Sequence, residues 1–407
     1  MLKRNTNYLA KDNFWTKDFF TTASSNFLNS FELHDEATVI KLLKKKGFFC
    51  LGKADLDEFA CGGSGLLSKN GILINPHNEK HIVGGSSSGS SVAVAKGLVD
   101  FALGSDTGGS VRCPAAYCGV VGFKPSYGLI SRYGLIPLSS SLDTVGILAK
   151  NVSITKEIFS TINKKDPRDL LTIAGKKIKA EKENAKSTKI AVIDELENHL
   201  ESNLKKLYNE KLEFLKKEGY SIEKVKLPKE IRNNLQITYL IISCSELLSH
   251  LNSLQGIAYG SKKNKSSIKE NRTNYLGKEI KKRLLMGAYF LENPYCLEMA
   301  RKVCSLTNNW VKKIFAKHQF LLFPSMNGPA PKIEQVSSSF AGSEIVHWSD
   351  NLLLLANFSG IPSLSLPIGF VKNLPVSINI NSSYKNDEKV LELADKLEKF
   401  TNTKIKI

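Results

Sequence analysis

The chain has 407 residues, 42% hydrophobic and 24% charged, the balance of a globular protein able to bury a large core. No run of about 18 apolar residues occurs, which excludes a membrane-spanning helix, and Met1-Leu2-Lys3-Arg4-Asn5 lacks the apolar centre of a secretory signal. The net charge of +18 suits a polyanionic partner, but Lys44-Lys45-Lys46, Lys176-Lys177 and Lys262-Lys263 are not interleaved with aromatic residues, so charge alone assigns no nucleic-acid binding.

In chain order, helical and strand patterns alternate, which predicts an α/β fold. Residues 37–46 read as a helix stopped by Gly47, and 48–51 as a short buried strand. Residues 91–103 are apolar enough to predict a core helix. A strand is expected at 190–193, a long amphipathic helix at 197–217 ending before Gly219, and a strand at 221–227. The pattern from 237 to 317 is mostly helical, with Gly256, Gly287 and Pro294 as interruptions. Strands are expected at 320–323, 363–367 and 376–380, then a helix from 387 to 400. The charged stretch 176–189 can separate two domains, or the strand after it can rejoin one sheet. Seven scattered cysteines show no metal-ligand spacing and read as free thiols of a reducing compartment; no metal site is expected.

The chemistry concentrates in two glycine- and serine-rich stretches, residues 84–91 (GGSSSGSS) and 104–110 (GSDTGGS), and in Lys11-Asp12-Asn13. A serine hydroxyl is a weak nucleophile and needs a base and an oxyanion hole. Thr107-Gly108-Gly109-Ser110 has side chains small enough for backbone N–H groups to converge on one point. Taken alone, that stretch reads better as a tight turn with Asp106 and Thr107 bonding local backbone. Gly85-Ser86-Ser87-Ser88-Gly89 also satisfies the nucleophile-elbow pattern with Ser87 as nucleophile, but His199, His250, His318 and His347 lie in no recognisable motif. A phosphate cradle is a third reading; the Gly-Lys-Ser/Thr it requires is missing.

Residues 84–125, with Arg112, Pro114, Ala115, Cys118 and the closing Gly122-Phe123-Lys124-Pro125, resemble the signature of the amidase-signature hydrolases. Lys11-Asp12-Asn13, Gly52-Lys53-Ala54-Asp55 and Glu58-Phe59-Ala60 fit the same family in order. The resemblance implies an amidase-signature fold, a central mixed β-sheet flanked by helices on both sides, formed by the whole chain as one domain. It implies Ser110 as nucleophile, Ser86 as a relay serine after a cis peptide at Gly85, Lys11 as base, and the oxyanion hole at Thr107, Gly108 and Gly109. Such a base must be neutral, and lowering a lysine pKa to near 7 is within what burial supplies.

Further matches, among them residues 127–143, Ser245-Glu246, Met286-Gly287 and Asn357, resemble the glutamine-hydrolysing A subunits of tRNA-dependent amidotransferases. In that group the positions of Tyr239, Arg283 and Asp350 bind glutamine. Arg283 suits the α-carboxylate and Asp350 the α-ammonium. The resemblance implies no cofactor in this chain, a B subunit that uses ATP and Mg2+, a small C subunit, tRNA held mainly by the complex, and a cytoplasmic location. A free-standing amidase for another small amide is the nearer alternative, and a non-catalytic scaffold the farther. Two departures stand out: Ser88 replaces the usual loop glycine, and Lys11 lies only ten residues from the start, where relatives carry a helical segment first.

Overall fold

A computed structural model describes residues 6–28, 35–173, 188–254, 267–338 and 351–402. Among them one ten-stranded sheet runs through the molecule. Its strands are β1 (Asn7–Lys11), β2 (Phe49–Ala54), β3 (Phe101–Asp106), β4 (Val121–Lys124), β5 (Thr144–Ala149), β6 (Lys189–Ile193), β7 (Ser221–Val225), β8 (Phe320–Pro324), β9 (Ser363–Val371) and β10 (Leu374–Ser382). They lie in the order β2-β1-β3-β5-β4-β9-β10-β8-β6-β7. The pairs β2–β1–β3 and β8–β6–β7 are parallel and the strands between them antiparallel, so the sheet is mixed.

Side-chain alternation explains the two helical layers. In β6, Ile190 and Val192 join one core and Ala191 and Ile193 another; in β8, Phe320 and Leu322 part from Leu321 and Phe323 in the same way. The first core receives Val39 and Leu43 of helix Thr38–Lys45, Ile158 and Phe159 of Val152–Ile162, Leu204 and Leu212 of Ser202–Lys217, and Val390 to Leu397 of Asp387–Asn402. The opposite face is covered by Ser88–Ala95 and Arg112–Cys118 at one end and by Pro294–Phe315 and Leu354–Ser359 at the other. Helices therefore flank both sides, as expected.

Four local expectations change. The buried strand expected at 48–51 is the edge strand β2, with Phe49 and Leu51 half exposed. The helix expected at 91–103 is two elements: Ser88–Ala95 ends at a turn through Gly97, and β3 follows. Every residue of β3 is buried, Phe101 and Leu103 on one face and Ala102 on the other, so no polar alternation marks it as a strand. Gly287 does not interrupt a helix; it lies inside Lys278–Glu292. A Cβ there would stand 2.3 Å from the carbonyl oxygen of Cys244, so the missing side chain lets this helix lie directly on Leu235–Ser253. The regular part of the expected 197–217 helix starts at Ser202, where Glu201 accepts from Asn203 and Leu204 amides at 2.8 and 3.0 Å.

Pro294 does open a new helix at its first turn, whereas Gly256 lies outside the described residues. So does most of the charged 176–189 stretch, but Lys189 begins β6, which pairs with β8 in the common sheet. No helix among the described residues is long and apolar enough to cross a membrane.

Candidate active site

Lys11 and Asp106 are the last residues of the neighbouring parallel strands β1 and β3, so their side chains gather at the carboxyl ends of the strands, where α/β sheets hold their sites. The Lys11 ammonium is fully buried and donates to Ser86 Oγ at 2.8 Å, to Ser105 Oγ at 2.9 Å and to the Ser105 carbonyl at 3.3 Å. Asn13 Nδ2 also donates to Ser105 Oγ, at 3.0 Å. Burial lowers the Lys11 pKa to about 7, against the opposing pull of Asp57, Asp106 and Asp143. The Gly85–Ser86 peptide is cis. Ser88, in place of the usual loop glycine, is buried, and its hydroxyl has no hydrogen-bond partner among the described residues.

The stretch carrying Ser110 is held from below by a buried ion pair. Asp106 receives Arg112 Nη2 on Oδ1 at 2.9 Å and Arg112 Nε on Oδ2 at 3.0 Å. Asn357 Nδ2 and the Gly109 amide, each at 2.9 Å, and the Val111 amide at 3.1 Å complete its shell. Burial opposes ionisation, yet Arg112 and these donors hold the carboxyl well below the usual range. Arg112 spends its remaining donors on Leu353 O, Ser363 Oγ and Asn357 Oδ1 at 2.7 to 3.0 Å.

The Gly109 N–H, one of the three amides expected at an oxyanion hole, donates to Asp106 and so is already engaged by the ion pair. Removing one partner of such a pair leaves a buried charge uncompensated. Arg112→Met is therefore expected to lower stability by about 3–5 kcal/mol, measured by urea unfolding; a change under about 1 kcal/mol would count against the clamp.

Ser110 is 6% exposed, and its carbonyl accepts from the Ser87 amide at 3.0 Å, which ties the two serine loops together. Thr107 Oγ1 donates to Asp143 at 2.6 Å. Burial lifts the Asp143 pKa to about 6, although Thr107 and the amides of Leu138 and Ser139 favour its charge. The elbow reading fails. Ser87 Oγ donates to the Ser105 carbonyl at 3.2 Å, while His250 faces Ser140 and His318 pairs with Glu223. His347 lies outside the described residues.

Tyr239 stands directly over the loop: a Cβ on Gly108 would meet its ring at 2.8 Å. Arg283 is buried. Its Nε donates to Glu279 at 2.9 Å, and its Nη1 has no hydrogen-bond partner among the described residues. Burial works against the charge, but Cys61, Tyr239, Cys244 and Glu279 together raise the pKa above that of a free guanidinium. Asp350, the third expected glutamine-binding residue, lies outside the described residues.

Sequence reasoning assigns no role to Ser105, Asp57 or Asp143. Ser105 meets Lys11 across 94 positions and Asp143 meets Thr107 across 36, while Asp57 pulls on Lys11 electrostatically. No group of three or more His, Cys, Asp or Glu among the described residues is placed to hold a metal ion.

A family model described as Amidase matches residues 8–391. The A subunit of glutamyl-tRNA(Gln) amidotransferase from Pseudothermotoga lettingae is 37% identical over 402 residues, covering 96% of this chain and 85% of that protein. The A subunit of the same enzyme from Mycoplasma pneumoniae is 36% identical over 411 residues, covering 97% and 85%. The crystal structure of the glutamyl-tRNA(Gln) amidotransferase A subunit from Thermotoga maritima superposes with a TM-score of 0.81 at 33% identity, covering 97% of this chain and 83% of that one. Native peptide amidase from Stenotrophomonas maltophilia follows the same fold, with a TM-score of 0.78 at 26% identity over 98% and 82% of the two chains. With a family match over nearly its whole length, the sheet and the buried Lys11–Ser86 pair, the chain belongs to the amidase family.

Proposed function

We propose that the chain is the glutaminase subunit of a tRNA-dependent amidotransferase, acting as one domain built on its continuous sheet. The observation that carries the chemistry is the lysine amine, fully buried and 2.8 Å from Ser86 Oγ. Neutral Lys11 accepts the Ser86 proton as Ser86 accepts that of Ser110, and Ser110 Oγ attacks the side-chain amide carbon of glutamine. The developing oxyanion is met by the Thr107 and Gly108 amides. As the tetrahedral species collapses, the C–N bond breaks, the proton returns through Ser86 to the leaving nitrogen, and ammonia departs. Water then hydrolyses the acyl-enzyme by the same route, releasing glutamate.

Substrate choice rests on Arg283, whose unpartnered Nη1 suits the α-carboxylate of a free amino acid. This favours glutamine over a peptide amide. The role of Asp350 toward the α-ammonium rests on the resemblance alone. Arg283→Met is expected to raise the KM for glutamine about 10- to 100-fold, the worth of a charged hydrogen bond, with a smaller change in kcat.

Ammonia passes to a partner B subunit that activates Glu-tRNA(Gln) with ATP and Mg2+, a small C subunit completing the complex in the cytoplasm. The test is glutamine hydrolysis and Gln-tRNA(Gln) formation, measured with and without partner subunits and charged tRNA. Hydrolysis of other small amides in preference to glutamine would turn the reading to a free-standing amidase.

A further inference from the structure

Strands β3 and β5 pair antiparallel with Asp106 opposite Thr144, so one step beyond the ladder Thr107 meets Asp143. Thr107 Oγ1 donates to Asp143 Oδ1 at 2.6 Å, and both side chains are buried. The other carboxylate oxygen, Oδ2, accepts the Leu138 and Ser139 amides at 2.9 and 3.0 Å. A carboxylate is costly to bury unless its oxygens are satisfied. Closing the turn at 138–143 uses Oδ2; Oδ1 is committed to the stretch that carries Ser110.

That stretch hangs from two carboxylates. Asp106 takes the Gly109 and Val111 amides, on either side of Ser110. Thr107 and Gly108, just before them, are held from elsewhere. Gly108 packs under Tyr239 and Leu354, which a Cβ would meet at 2.8 and 3.1 Å, and Thr107 is tied to Asp143. The seat of Asp143 is fixed in turn. Glu246 accepts the Ser139 hydroxyl at 2.8 Å and the amide and hydroxyl of Ser141 at 3.0 and 2.6 Å. The Tyr127 hydroxyl and Arg132 donate to the Ser140 carbonyl. Glu246 and Tyr239 share helix Leu235–Ser253, so one helix braces both Gly108 and the seat of Asp143.

We propose that Asp143 is a positioning residue for hydrolysis, setting through the Thr107 hydroxyl the direction in which the Thr107 and Gly108 amides face the oxyanion. This rests on the glutaminase reading above. A threonine hydroxyl has one proton to donate, and here the carboxylate takes it, so the side chain acts through its own backbone and not on the substrate. An amide that meets charge only as the tetrahedral species forms contributes to kcat and leaves the ground-state hold on glutamine to other groups.

The test measures glutamate release by the full chain in complex with its partner subunits at pH 8, where the Asp143 carboxyl, lifted to about 6 by burial, is ionised. Thr107→Val nearly keeps the side-chain volume, removes the hydroxyl and leaves Asp143 its two amide partners. It is expected to lower kcat about 10- to 100-fold, the scale of a misdirected donor, with KM within about threefold of wild type. Thr107→Ser returns the hydroxyl and is expected to recover about fivefold or more of the lost kcat. Asp143→Asn turns an NH2 toward one of its donors whichever way it sits, and is expected to cost at least as much. Adding Thr107→Val to Asp143→Asn then lowers kcat by less than about threefold more, as for two changes to one contact. Thr107→Val decides the matter even where Asp143→Asn does not fold. A kcat loss under about fivefold for Thr107→Val, a loss carried by KM, or losses that multiply in the double variant overturns the positioning role and leaves the glutaminase reading standing. A wild-type complex that hydrolyses no glutamine overturns that reading instead, and the same variants measured on the small amide it does hydrolyse decide the role of Asp143.

Discussion

Ser110→Ala is expected to lower glutamine hydrolysis by roughly 10^4- to 10^6-fold, the scale seen when a hydrolase loses its nucleophile. The Ser110 hydroxyl forms the covalent bond of the proposed reaction, and alanine leaves water to attack unaided. The side chain removed is small, and the loop is fixed by groups other than the hydroxyl. The Ser110 carbonyl holds the Ser87 amide, and Asp106 holds the amides on either side. Thermal unfolding of the variant is therefore expected to match the wild type. The measurement is glutamate release under single-turnover conditions; activity within tenfold of wild type would end the assignment of Ser110.

Lys11→Met is expected to cost about 10^2- to 10^4-fold in kcat/KM, the usual contribution of a positioned base, and to erase a pH dependence that the wild type shows. Burial holds the Lys11 pKa at about 7, well under its ordinary 10.5. The protonated ammonium has no lone pair for Ser86, so wild-type activity rises with pH through about 7 and levels off above it. A profile flat from pH 6 to 8, or one falling across that range, would remove Lys11 from the role of base.

The same shift makes a stability statement. Between about pH 7 and 10.5 the unfolded chain binds the lysine proton and the folded chain does not. This group's contribution to stability therefore rises with pH across that window and is least favourable below it. Urea unfolding of the wild type and Lys11→Met at pH 6 and 9 measures that difference.

Short-range pattern makes some of this legible and not the rest. Lys11, Ser86 and Ser110 stand in compact motifs whose glycine and serine content already suggests bare backbone around a hydroxyl, and the structure brings Lys11 to Ser86 across 75 positions of sequence. Ser105 lacks such a signal, because its meaning comes from a lysine 94 positions away. Gly109 shows the limit of motif reasoning: its amide belongs to the expected hole by sequence, but the neighbouring carboxylate claims it. Arg283 is singled out by the resemblance alone, because its neighbours Lys281 and Lys282 are equally basic. Only the crossing of two helices at Gly287 reveals that it is buried. β3 reads as helix for the opposite reason, since complete burial removes the polar half of the strand pattern.

The reach of Arg112 has a consequence for synthesis. Of the groups that fill its valence, Asp106 lies six positions away, while Leu353, Asn357 and Ser363 lie 241, 245 and 251 positions away. A chain emerging from the ribosome at roughly 5–20 residues per second thus carries Lys11, Ser86 and Ser110 long before the distant partners of Arg112 exist. The nascent polypeptide is therefore expected to lack a settled Ser110 loop until its last quarter has been made.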